Sequence, residues 1–202
     1  MSDVADRTET DTRERILLTA ERLFREIGYQ KTTVADIAKT LRMSPANVYR
    51  FFDSKKSINA GVARRLMGEV EDASQGIATA ARGRATERLR ELLTTIHRMN
   101  AERYVGESKL HDMVAVAMEE NWEVCHAHME CIIGTIGRVI ADGVASGEFD
   151  VPDAALAADC TCTAMVRFFH PGLIAQCADK QTPTLDQQID FVIGALQGKK
   201  KA

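Results

Sequence analysis

Thr32-Thr33-Val34-Ala35-Asp36-Ile37-Ala38-Lys39-Thr40-Leu41-Arg42-Met43-Ser44-Pro45-Ala46-Asn47-Val48-Tyr49-Arg50-Phe51-Phe52-Asp53-Ser54-Lys55 is the stretch that decides the fold. It holds two short apolar stripes separated by a break. Val34, Ile37, Ala38 and Leu41 recur on a 3.6-residue period and predict a helix over about 34–41. Thr32 and Thr33 are both of the type that caps such a helix, because the hydroxyl accepts from its first unpaired N–H groups. Arg42-Met43-Ser44 interrupts the pattern. Ser44 is again a capping type, and Pro45 suits a first helical position, where its missing N–H costs nothing. A second short helix over about 45–51 follows, with Val48, Phe51 and Phe52 facing inward.

Upstream, Ile16, Leu17, Ala20, Leu23, Phe24 and Ile27 are spaced 1, 3, 3, 1 and 3, one stripe of a helix from about Thr12 to Glu26 that Gly28 ends. The polar residues before it, about 1–11, are expected to form a disordered arm. Two short helices joined by a brief break and packed on a preceding helix make the helix-turn-helix layout, whose last helix enters the major groove of DNA. Pro45, Ala46, Asn47, Tyr49 and Arg50 are not needed for the core and point outward. An Asn amide pairs an adenine edge and an Arg fork pairs guanine, so Asn47 and Arg50 are the candidate base readers. Tyr49 and Lys55 have the chemistry to hold phosphates, and Thr33 and Ser44 stand at helix N-termini, where free N–H groups favour anions.

Charge permits this reading without requiring it. The chain of 202 residues carries a formal net charge of −3. Residues 1–57 hold 11 Lys and Arg against 9 Asp and Glu, while residues 58–202 hold 15 against 20. The front end is therefore the more basic part. Few prolines, low aromatic content and apolar stripes of helical period along the rest predict an all-α protein. Helices are expected over about 55–79, through Leu89–Met99, over about 108–118, over about 119–145, from about Pro152 past Pro171 to about Ala178, and from Thr184 to near Gly198. No apolar run reaches the ~20 residues that span a bilayer, and the N-terminus is polar and acidic. A soluble cytoplasmic protein without a membrane role is expected.

The run from Gly28-Tyr29 through Thr33, Ile37-Ala38, Ser44 and Tyr49-Arg50-Phe51-Phe52 to Ser54-Lys55 resembles the TetR/AcrR family of transcription regulators. That family commonly has glycine where this chain has Arg42, and a small flexible residue where it has Pro45-Ala46. Either Arg42 takes the turn at a backbone cost or the turn differs. The resemblance implies a DNA-binding domain over 1–57 and a larger helical domain over 58–202 that binds a small effector and pairs two copies through the last two helices. A repressor released from a near-palindromic operator on double-stranded DNA is the expected behaviour. Apolar Ile189, Phe191, Val192, Ile193 and Leu196 and the small residues Ala154, Ala155, Ala157 and Ala158 suit such pairing.

Met99, Met118, Trp122, Met165, Phe168, Phe169 and His170 are the candidate effector contacts, since flexible methionines fit loosely shaped apolar ligands. Cys125, His128 and Cys131 lie three apart on one predicted helix face. They are weak candidates for a metal or a thiol switch, because three ligands from one helix face make an awkward tetrahedral site. Glu123-x-x-His126 has the spacing of a di-iron ligand pair, yet such sites need a second copy, which is missing. With no phosphate loop or nucleophile elbow either, no cofactor and no enzymatic activity are expected.

Overall fold

The computed structural model describes residues 2–80, 83–104, 113, 116, 122–177, 179 and 183–198. Among these, nine helices and no strand occur: α1 (Ser2–Ile27), α2 (Val34–Thr40), α3 (Pro45–Tyr49), α4 (Lys55–Ala78), α5 (Ala85–Tyr104), α6 (Trp122–Ala145), α7 (Ala154–Phe169), α8 (Pro171–Gln176) and α9 (Leu185–Leu196). The expected all-α class is what the chain adopts. The helix expected over 108–118 lies outside the described residues, apart from positions 113 and 116. No helix among the described residues is long and apolar enough to cross a membrane. The chain divides into two compact units, 1–66 with 107–125, and 67–106 with 126–202.

In the first unit, Ile16, Leu17, Ala20 and Phe24 of α1 bury against the same core as Val34, Ile37 and Ala38 of α2, Val48 of α3, and Phe52, Ile58, Val62 and Leu66. Phe24 meets Tyr29 edge to face at 5.2 Å. Two expectations are corrected here. Helix α1 begins at Ser2 rather than near Thr12. Once the buried stripe nucleates a helix, each added residue needs only its own hydrogen bond, so a polar segment extends it. Ile27 is exposed rather than part of the stripe. Helices α1 and α4 approach closely at Gly61, where a Cβ would stand 2.7 Å from Leu17 Cδ2. Nearby, buried Glu21 of α1 accepts from Arg25 at 2.7 Å and from Arg65 of α4, which fixes the same pair of helices.

In the second unit, Leu89, Leu92, Leu93 and Ile96 of α5, Ile136 and Ile140 of α6, Met165 and Phe168 of α7, and Ile189, Val192 and Ile193 of α9 form the core. The expected single helix running past Pro171 is corrected: it is two helices. His170 has ψ 120° and serves as both the C-cap of α7 and the N-cap of α8. The ring of Pro171 disfavours a helical residue before it and suits the first position of a new helix. The break strands carbonyls that α5 then satisfies. His97 Nδ1 lies 2.9 Å from Phe168 O, and Asn100 Nδ2 donates to Phe169 O at 2.9 Å.

The start of α5 is held by Glu148, whose carboxylate accepts from Ala85 N at 2.9 Å, Thr86 N at 3.1 Å and Thr86 Oγ1 at 2.9 Å. Burial alone would raise this carboxyl, but the backbone N–H groups of Thr86 and Ala85, with the Thr86 and Ser146 hydroxyls, outweigh it and hold it at about 2. A depressed folded pKa means that this stability is present above the ordinary value of 4.5 and is lost as pH falls from there toward about 2. Glu148→Gln should therefore flatten the acid limb of a stability profile between those values while lowering stability near neutrality. Denaturant midpoints measured across that range check this, and parallel profiles for parent and variant would refute it.

Candidate functional site

The second and third helices meet through a turn of unusual backbone. Arg42 has φ +56°, the single positive value among the described residues other than glycine. This is the left-handed conformation that costs an L residue about 1–2 kcal/mol. Arg42 thus takes the turn itself, with its N–H on Lys39 O at 3.1 Å and the next N–H, of Met43, on Ala38 O at 2.9 Å.

Both flanking helices are capped from within. Thr33 Oγ1 accepts from Asp36 N at 3.1 Å and donates to Asp36 Oδ2 at 2.6 Å, while Thr33 N also donates to that oxygen at 2.9 Å. The Thr33 hydroxyl and then its N–H hold the Asp36 carboxyl below the usual range. The anion at the start of α2 is thus the protein's own, and the Thr33 side chain is engaged in the capping box. Ser44 Oγ accepts from Asn47 N at 3.2 Å and opens α3.

Around α3, Ser44, Pro45, Ala46 and Arg50 are exposed, Asn47 is half-buried and Tyr49 is 49% exposed. Val48 is fully buried and anchors the helix. Arg50 Nη1 donates to Asn47 Oδ1 at 3.4 Å, so the two candidate base readers are partners in the free protein. The outward set expected from the sequence is brought together on one short helix.

Lys55 is different. Its ammonium donates to the carbonyls of Tyr29 at 3.0 Å, Gln30 at 3.4 Å and Thr32 at 3.1 Å, and sits 4.4 Å from the centroid of the Tyr29 ring. All three donors point into the loop between α1 and α2, so as placed this lysine fastens that loop rather than reaching toward a phosphate.

Two contributions escaped the sequence reading, the burial of Thr32, which was read there as a possible cap, and the hold of Arg13. Thr32 is fully buried, its hydroxyl donating to Gly28 O at 2.8 Å. Arg13 donates to Phe51 O at 2.7 Å and lies 4.2 Å over the Phe52 ring, holding the end of α3. Its position three residues before Ile16, on the side of the apolar stripe, was the available signal.

The candidate effector residues divide. Met165 and Phe168 are buried in the core of the second unit, and Met99 and Phe169 pack against it. His170 caps α8, its Nδ1 accepting from Leu173 N at 3.4 Å. Trp122 belongs to the first unit and is 63% exposed. Met118 lies outside the described residues.

Cys125 is buried, and burial raises its thiol. His128 Nδ1 lies 2.7 Å from Glu71 Oε1, and Cys131 Sγ accepts from Gln75 Nε2 at 3.7 Å. Among the described residues no three His, Cys, Asp or Glu side chains converge as metal ligands would.

A short exposed helix set behind a tight turn, on a capped and buried partner helix, is the apparatus of a DNA-binding transcription regulator. Residues 16–62 match the family described as bacterial regulatory proteins, tetR family, and residues 85–191 match the tetracyclin repressor-like C-terminal domain. The chain belongs to the TetR family. The biofilm operon icaADBC negative transcriptional regulator IcaR of Staphylococcus aureus is 48% identical over 46 residues, which are 23% of this chain and 25% of IcaR. A TetR/AcrR-family regulator from Thermobifida fusca superposes with a TM-score of 0.62 at 22% identity, covering 95% of this chain and 100% of that one. The complex of SmeT with triclosan gives 0.68 at 18%, covering 92% and 91%. SmeT is the repressor of the Stenotrophomonas maltophilia multidrug efflux pump SmeDEF. At these identities the two structures share the fold.

Two substitutions test the local architecture. Arg42→Gly should keep or raise stability by up to about 1 kcal/mol, since the relief of left-handed strain exceeds glycine's added unfolded-state entropy. A lower urea midpoint would show that the arginine side chain earns its place by contacts. Lys55→Met should lower stability by about 1–3 kcal/mol by stranding three carbonyls. Unchanged urea unfolding would return Lys55 to an outward, phosphate-holding role.

Proposed function

We propose that this regulator is a homodimeric repressor that binds a near-palindromic operator through α3 and leaves it when a small apolar or amphipathic molecule enters the larger helical domain. The observation that carries the reading is the outward surface of α3, where Tyr49 and Arg50 are exposed and Asn47 is half-buried while Val48 is the buried residue of the helix. Residues 1–57 form the DNA-binding domain and residues 58–202 the effector and pairing domain, acting in the cytoplasm. Asn47 and Arg50 read base edges in the major groove. Pro45, Ala46 and Tyr49 fill the groove and its phosphate walls, and Ser44 and Thr33 position the backbone N–H groups at the helix starts.

Pairing through the last two long helices is supported by side chains left outside the core: Leu156 and Val166 on α7, and Phe191 on α9, which is 70% exposed. A dimer sets two copies of α3 about one DNA turn, ~34 Å, or a multiple of it, apart. Met99, Met165, Phe168, Phe169 and His170 are the effector contacts. Repression is supported by IcaR, a negative regulator, and an apolar effector by SmeT, which is found with triclosan.

Selection of bound duplexes from a random pool at physiological salt should enrich one inverted repeat. Arg50→Ala and Asn47→Ala should each cost the selected site about 1–3 kcal/mol and relax adjacent positions within each half-site. Absence of enrichment by folded protein would sink the reading, and enrichment untouched by both variants would move base recognition to another element.

A further inference from the structure

Two buried side-chain atoms among the described residues of the second unit have no hydrogen-bond partner, Arg88 Nε, whose guanidinium is held through its other nitrogens, and Ser74 Oγ. Ser74 Oγ is fully buried on α4 and makes no hydrogen bond. Buried polar groups are almost always paired, and a helical hydroxyl commonly bonds the carbonyl four residues back. Its neighbours in this unit do so: Thr79 to Gln75 O at 2.7 Å, Thr135 to Cys131 O at 2.8 Å and Thr161 to Ala157 O at 2.8 Å. Ser74 does not, although it stands one turn from Val70 and one from Ala78, both members of the apolar core. It therefore shares their inward face.

The position of this hydroxyl along the bundle is fixed from both sides. Arg88 of α5 donates to Ala78 O at 2.9 Å, and Arg103 of α5 pairs with Glu69. Ser74 lies between these two cross-links. Of the ionisable groups within a turn or so of it on α4, Glu69 pairs with Arg103 and Glu71 with His128, and Asp72 is exposed to solvent. A charged ligand beside the buried hydroxyl would find no spare counter-ion among these, whereas a neutral polar group would find an open donor and acceptor. Met99 and Met165, unbranched and flexible, can shift to admit a guest.

We infer that Ser74 Oγ is the polar anchor of the effector site, and that the effector is a neutral, largely apolar molecule carrying one hydroxyl or carbonyl group. This rests on the reading of the larger helical domain as the effector domain. The ligand replaces the missing hydrogen bond and buries its apolar body against the core.

The test uses the full chain and two probes that differ by one hydroxyl, 2-naphthol and naphthalene, in calorimetric titrations of the parent and Ser74→Ala. In the parent, 2-naphthol should bind about tenfold tighter than naphthalene. In Ser74→Ala, 2-naphthol should weaken about tenfold while naphthalene holds. The unliganded variant should melt no lower than the parent and keep its DNA binding, since the hydroxyl has no protein partner to lose. Equal binding of 2-naphthol by both proteins would overturn Ser74 as the anchor and leave the effector domain standing. Binding of neither probe by the parent would overturn both. A lower melting temperature for the variant would show that the hydroxyl serves the fold and would also overturn the inference.

Discussion

Three backbone carbonyls, those of Tyr29, Gln30 and Thr32, converge on one ammonium group at the start of α4. A loop between helices leaves carbonyls that no helix satisfies, and burying them unpaired is costly. Lys55 settles this for the loop between α1 and α2, while the Tyr29 ring takes the remaining face of the cation. Thr32, drawn into the core by the same loop, leaves Thr33 in the extended conformation that an N-cap needs. The direction of α2, the turn at Arg42 and so the exposure of α3 all depend on that loop being fixed. Arg13 holds the far end of α3 by the Phe51 carbonyl, so one cation fastens the loop before α2 and another the residues after α3.

The second unit solves a similar problem differently. The chain must turn at Pro171, where a helix loses its ladder. His97 and Asn100 take up the stranded carbonyls from the neighbouring helix, and the His170 ring caps the next one. Glu148 performs the matching service at the start of α5 with two N–H groups and a hydroxyl. His97, Asn100 and Glu148 are brought from far along the sequence to substitute for missing backbone partners, while His170 does so locally.

What could be read from the sequence follows from the range of the forces involved. The periods of Val34–Leu41 and Ile16–Phe24, the caps at Thr33 and Ser44, and the placement of Pro45 are local signals, and they located the helices of the first unit to within a few residues except at the start of α1, where the polar segment from Ser2 carries no apolar period. The resemblance over 28–55 and the odd fit of Arg42 in the turn were likewise local. Long-range partners were not legible. Nothing near Lys55 announced that its ammonium would turn back 23 to 26 residues, and nothing near His97 pointed to a carbonyl 71 residues away. The break at His170 carried a local sign in Pro171, but the apolar pattern on both sides favoured continuity. Trp122 was grouped with the candidate effector contacts, and its 63% exposure is something no local pattern announced.

If Asn47 and Arg50 read base edges as proposed, the contact between them bears on how such a regulator acquires a new operator. Each side chain shapes the other's resting position, so replacing one changes the setting in which the other works. Their effects on binding are then not additive, as expected for groups in direct contact. A lineage drifting from one operator to another would cross a valley if it changed these positions singly, and the viable route runs through paired replacements that exchange one mutually held couple for another.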